Sequence, residues 1–152
     1  MATSSGSTLQ TPIYVNRTYG FKISLPANYL VEDDPTKTGG WIYFRSPQRV
    51  IQRTQVIQTC HGDGHPGICE QQFGPDFDVA FVPTAIDDVD KRNVSTAVIN
   101  NIVWTRFEED DLLVSSTALT HYYTKNGRQD FSFIGPSRNT LEALLATFAF
   151  VH

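Results

Sequence analysis

Apolar and polar residues alternate along most of this chain, and the alternation divides it into short strands. Ile13 and Val15 alternate with Tyr14 and Asn16. After a turn over Arg17 to Gly20, Phe21, Ile23 and Leu25 alternate with Lys22 and Ser24 as far as Pro26, which cannot donate to a ladder. Trp41 to Phe44 follows Gly39-Gly40 and is apolar on both faces, which predicts a third strand. Val50 to Thr59, rich in β-branched residues, predicts a fourth. Phe77 to Val82 predicts a fifth, with Phe77, Val79 and Phe81 on one side. Thr84 followed by Asp87 resembles a capping box that opens a short acidic helix over Ala85 to Arg92. Val94, Thr96 and Val98 then alternate, as do Val103, Thr105 and Phe107. Between them Asn100-Asn101 tolerates the left-handed conformation of a tight turn, so the two runs form a hairpin.

The clearest turn signal lies further on, where Asn126-Gly127 splits two alternating runs between Ala118 and Ile134. An Asn-Gly pair suits both central positions of a type I′ turn. A loop made of those two residues sets Lys125 opposite Arg128, Tyr123 opposite Asp130, Tyr122 opposite Phe131 and Thr120 opposite Phe133. Tyr122, Phe131, Thr120 and Phe133 then share one face. Leu119, Ile134, His121, Ser132, Tyr123 and Asp130 share the other, which is apolar only at its far end.

The chain closes on the strongest helical period. Leu141, Leu144, Leu145 and Phe148 recur at i, i+3, i+4 and i+7, behind a cap at Asn139 and with Glu142 near the positive helix end. Burying these four side chains is worth about 6 to 12 kcal/mol before ordering costs, so the helix must dock on a sheet. Several strands followed by a terminal helix predict an α+β fold: an antiparallel sheet of about six to eight strands with the helix packed on one face.

Composition narrows the function classes. With 152 residues and 40% hydrophobic side chains, the chain can build one real core. A net charge of −4 gives no basic surface for nucleic-acid phosphates. No apolar run is long enough to span a bilayer. Met1 to Thr11 is small, polar and aperiodic, which predicts a flexible leader at 1–11 and a single domain at 12–152. Such a tether is what remains after a signal peptide or lipoprotein leader is removed, and equally what a plain disordered tail looks like. The first alternative places the protein outside the cytoplasm, with any membrane contact made through a lost lipid anchor.

One stretch concentrates reactive side chains: Cys60-His61-Gly62-Asp63-Gly64-His65-Pro66-Gly67-Ile68-Cys69. Two cysteines in an exported chain favour a disulfide between Cys60 and Cys69, closing a short loop worth about 2 to 3 kcal/mol. Two free thiols and a zinc site with His61 and His65 are the alternatives. The zinc reading suffers because all four ligands crowd one loop instead of forming separated pairs. A bridged Cys60 cannot be a nucleophile, and the chain has neither a Gly-x-Ser-x-Gly elbow nor a phosphate loop, so no enzyme is expected. The acidic runs Glu32-Asp33-Asp34, Asp87-Asp88 with Asp90, and Glu108 to Asp111 lack calcium-loop spacing and read as solvated turns. Trp41 and Tyr43 share a strand face and form a candidate binding patch for a partner protein or small ligand, unless a helix or loop covers them. No cofactor is expected.

Two segments carry a family resemblance. Asn16-Arg17-Thr18-Tyr19-Gly20-Phe21-Lys22-Ile23-Ser24-Leu25-Pro26, with an aromatic at Tyr29, resembles the opening of PsbP-like domains and related small bacterial lipoproteins. Leu141 to Phe150, ending Thr147-Phe148-Ala149-Phe150, is similar to their closing helix and tail. The resemblance implies an antiparallel sheet with helices on both faces and a binding or assembly role at the cell envelope rather than catalysis. Two departures stand out: Tyr29 occupies the position of the usual tryptophan, and no long middle helix is evident, since Cys60 to Pro75 looks like an irregular insertion instead.

Overall fold

Alternation produces strands nearly everywhere it occurs. The computed structural model describes residues 12–33, 40–60, 75, 77–84, 91–109, 119–127 and 129–151. Its first half runs β1 (Ile13–Asn16), β2 (Phe21–Ser24), β3 (Leu30–Asp33), β4 (Ile42–Arg45), α1 (Pro47–Cys60) and β5 (Val79–Val82). Its second half runs β6 (Lys91–Ile99), β7 (Ile102–Glu109), β8 (Leu119–Asn126), β9 (Gln129–Gly135), α2 (Arg138–Leu145) and β10 (Ala149–Phe150). Seven strands form an antiparallel sheet in the order β3-β4-β5-β9-β8-β7-β6, and a smaller sheet runs β1-β2-β10. The α+β architecture with a terminal helix on the sheet is therefore as expected from the sequence.

The core lies between the large sheet, α2 and the small sheet. Ile42 and Phe44 from β4, Val79 and Phe81 from β5, Trp104 from β7, Tyr122 from β8 and Phe131 and Phe133 from β9 face inward. Phe21, Ile23 and Leu25 cover them from one side, and Leu141, Leu144, Leu145 and Phe148 from another. The helical stripe read from spacing thus docks as expected. Its cap differs: Ser137, not Asn139, precedes the helix, and its Oγ accepts from the Thr140 amide at 3.3 Å. Glu142 is engaged by side chains instead of the helix end: Oε1 accepts from Tyr122 Oη of β8 at 2.6 Å and from Arg138 Nε, one turn back in α2, at 2.9 Å.

Val50 to Thr59 is not a strand. The segment lies inside α1, and the physical reason is local. Ser46 accepts from the Arg49 and Val50 amides while Pro47, with its fixed φ and missing donor, opens the first turn. Arg49 and Arg53, four residues apart, share one helix flank. Arg49 Nε reaches Asp78 Oδ1 at 3.4 Å, and Arg53 pairs with Glu32. Glu32 stands opposite Tyr43, on the sheet face away from Ile42 and Phe44, so α1 is tied to the face that α2 does not cover. A helix thus stands where a strand is expected, and residues 61–74, the bulk of the stretch expected to be irregular, lie outside the described residues. β3, which carries Glu32, is not foreseen by the sequence reading, because Leu30 to Asp33 has no period-two pattern.

The Asn126-Gly127 hairpin exists with a different register. Asn126 pairs with Gln129, Lys125 with Asp130, Thr124 with Phe131 and Tyr122 with Phe133. The turn uses Gly127, at φ +63°, as its first loop residue. This register exchanges a like-charged Lys125/Arg128 pairing for Lys125 beside Asp130, 3.7 Å apart, and it frees the Asn126 side chain to reach Tyr19 O at 3.4 Å. Because partners slide by two positions, every face assignment survives. The type I′ geometry belongs to the other hairpin, where Asn100 and Asn101 have φ of +52° and +63° between paired Ile99 and Ile102. Lys91 and Arg92 are strand rather than helix, and the remainder of the acidic helix expected from Ala85 lies outside the described residues. Glu108 and Glu109 likewise belong to β7 rather than to a turn.

Candidate binding site

A groove of about 630 Å³ lies between the end of β2 and α2. Val79 and Leu144, both buried, form its floor. Pro26 and Tyr29 wall one side, and Asn139, Thr140 and Ala143 line the other along the outer flank of α2. Thr147 closes the end: its Oγ1 accepts from the Ser24 amide at 2.9 Å and donates to Leu144 O at 2.7 Å. None of the lining side chains is ionised at neutral pH. Burial raises the Tyr29 hydroxyl above its ordinary value, the Asp78 charge adds to this and Arg49 opposes it, so Tyr29 remains a protonated donor. The chemistry offered is an apolar floor with hydroxyl and carboxamide groups at the mouth, the composition of a small-ligand site.

The sequence-expected patch is divided. Trp41 and Tyr43 are neighbours, with ring centroids 6.2 Å apart. Trp41 is half-buried, but Tyr43 is only 7% exposed, under Phe77 at 5.5 Å and the Arg45 guanidinium at 4.8 Å. Phe77, expected beside Val79 and Phe81, instead precedes β5 and turns to this opposite face. Cys69, His61 and His65 lie outside the described residues, as does the side chain of Cys60. Among the described residues no three of His, Cys, Asp and Glu gather as a metal site. Glu32 and Glu109, read from sequence as turn carboxylates, both have fixed partners in Arg45 and His121.

His121 reads from sequence as an ordinary strand histidine, and its environment is more particular. The ring is buried on the second sheet face, stacked on Phe107 at 4.5 Å, with Nε2 bonded to Glu109 Oε2 at 2.8 Å. Nδ1 has no hydrogen-bond partner among the described residues. Burial holds the imidazole below its ordinary value, and the Lys91 charge acts in the same direction, while Glu109 opposes both. A neutral ring donating Nε2–H to Glu109 follows. Ser132, also buried, donates to Thr84 O at 3.3 Å and is not bonded to His121, so the described residues hold no nucleophile activated by this base.

The lowered value makes stability depend on pH with a definite sign. The unfolded chain takes up a proton at His121 near 6.5 while the native ring resists it. The His121 contribution is therefore whole above that pH and is lost as pH falls below it toward the depressed native value. Glu142, held below 4.5 mainly by the Tyr122 hydrogen bond and then by Arg138, loses its contribution only at more acid pH. Urea midpoints are expected to fall between roughly pH 7 and 5, and His121→Gln to flatten that interval; an unchanged slope in the variant would remove His121 as its cause.

Compared with protein-family models and with curated protein sequences, the chain matches none. No described helix is long and apolar enough to cross a membrane.

Proposed function

We propose that this protein is an exported, non-enzymatic binding or assembly module that takes an uncharged, largely apolar ligand in the groove between β2 and α2. The groove carries the reading: it has the volume of a small-molecule site, an apolar floor, and no ionised group among its lining residues. An ionic ligand would find no countercharge there. Export rests on the small, polar, aperiodic composition of residues 1–11. Kinship with PsbP-like domains is supported by the Asn16-to-Pro26 and Leu141-to-Phe150 segments, which form β1–β2 and α2–β10 side by side. The helix α1, tied to the face opposite α2, supports the same reading, which implies helices on both faces.

Ala143 is exposed on the groove wall, so Ala143→Trp fills the recess without entering the core. Amide chemical shifts recorded during titration with a set of uncharged aromatic fragments are expected to move at Tyr29, Asn139, Thr140 and Ala143, and to stay still in the variant. Shifts that cluster elsewhere, or persist in Ala143→Trp, would displace the site.

The Cys60–Cys69 disulfide belongs to the same proposal. Thiol titration of the unreduced, denatured protein is expected to find no reactive thiol, and metal analysis no stoichiometric zinc. Two reactive thiols would remove the bridge, and bound zinc would favour the rival reading of a metal-binding or hydrolytic loop.

A further inference from the structure

We infer that β6 is a self-association edge, pairing antiparallel with β6 of a second copy about a two-fold axis at Thr96. β6 ends the strand order of the large sheet, so among the described residues no strand lies along its outer side. The two-residue Asn100-Asn101 turn fixes which backbone groups face outward. Its flanking residues, Ile99 and Ile102, form a hydrogen-bonded pair, and bonded pairs recur at every second position back from the turn. Ile99, Ala97 and Ser95 are therefore bonded to β7, while the amides and carbonyls of Thr96 and Val98 point away from it. An edge of this kind pairs readily with another extended strand.

The side chains specify a second copy. Val94 and Val98 are 59% and 67% exposed, and Val103, directly opposite Val98 on β7, is 59% exposed. A two-fold axis at Thr96 sets Thr96 against Thr96 of the second copy and each Val94 against a Val98, so both valines gain β-branched cross-strand partners. At the end of β6 far from the turn, Lys91 and Arg92 stand opposite Glu109 and Glu108 of β7, so their charges are met within the chain. A register irregularity between Arg92 and Ser95, with Asn93 at φ +53°, bends the charged end away and confines the contact to Val94 through Val98. A foreign peptide could form the backbone bonds but would not supply the reciprocal valine match.

Sedimentation velocity over a concentration series reaching the millimolar range tests this on the full chain. The wild type is expected to show a reversible monomer–dimer equilibrium. Thr96→Pro removes an outward amide that β7 does not use and is expected to give monomer at every concentration with an unchanged circular dichroism spectrum. Val98→Lys, which leaves the backbone intact and places a charge in the contact, is expected to do the same and serves if the proline variant fails to fold. A wild type that stays monomeric throughout, or a dimer unaffected by Val98→Lys, would overturn the inference.

Discussion

Phe21→Ala is expected to lower the free energy of unfolding by about 3 to 5 kcal/mol, read from urea denaturation followed by tryptophan fluorescence and circular dichroism. The ring is fully buried, and its centroid lies 5.1 to 5.8 Å from those of Phe81, Phe131, Phe133 and Phe148. Those rings come from β5, β9 and the segment after α2, whereas Phe21 belongs to β2 of the small sheet. Removing it therefore loses more than one side chain's transfer energy, because the contact that joins the two sheets opens into a cavity with four rigid rings around it. A domain of ordinary stability has about 5 to 15 kcal/mol in total, so this single change should bring the protein close to its unfolding threshold at ambient temperature. The thermal midpoint should drop by about 2 to 4 °C for each kcal/mol. Lys22→Ala, at the exposed neighbouring position of the same strand, is the control and should stay within about 0.5 kcal/mol of wild type. A loss at Phe21 no larger than the control would mean that the small sheet is not coupled to the core through this ring.

Much of this arrangement is legible in the sequence because period-two alternation states which residues share a face, and a face once assigned resists errors in register. The second hairpin illustrates this. Its expected turn is displaced by one position on each strand, yet Tyr122, Phe131 and Phe133 enter the core as expected, since a slide by two positions keeps every side chain on its own side. Local β-propensity fails where a stronger local signal competes. Val50, Ile51, Val56 and Ile57 suggest a strand, but Ser46-Pro47 is a helix start, and the flanking Gln and Arg residues have no period of two. The alternation in β1 is correct in type and silent about direction: Tyr14 and Asn16 turn inward while Ile13 is 63% exposed. The groove is not readable from sequence, because Ser24, Tyr29, Val79 and Ala143 come from four separate segments and none has a distinctive local pattern. His121 with Glu109 is hidden for a related reason. Its partner reads locally as part of a solvated acidic turn, and only the pairing of β7 with β8 brings the two together.

Gly135→Ala is the second change expected to have a large effect, and its cause is steric. Gly135 ends β9 opposite Thr120, and a Cβ added there would stand 2.4 Å from Asp78 O, a distance no carbon–oxygen contact sustains. The obstacle is backbone, and it is held on several sides. The Asp78 amide donates to Phe44 O at 3.1 Å, Oδ2 accepts from the Ser46 amide at 2.6 Å and Oδ1 is paired with Arg49. Relief must come from shifting the start of β5 or the end of β9, at a cost of about 2 to 4 kcal/mol, the upper range for overpacked sites. Gly127→Ala supplies the contrast. Among the described residues beyond its chain neighbours, no atom lies within 4 Å of the place its new methyl would occupy, but φ is +63°, so only backbone strain of about 1 kcal/mol is expected. The ordering of the two losses, larger at Gly135, separates steric exclusion from conformational strain, and a reversed order would refute it. The same displacement reaches the groove, since Val79 follows Asp78 on its floor and Leu141, 3.4 Å from the added methyl, lies on the helix that forms its wall. Fragment binding in Gly135→Ala should therefore weaken even in conditions where the variant remains folded.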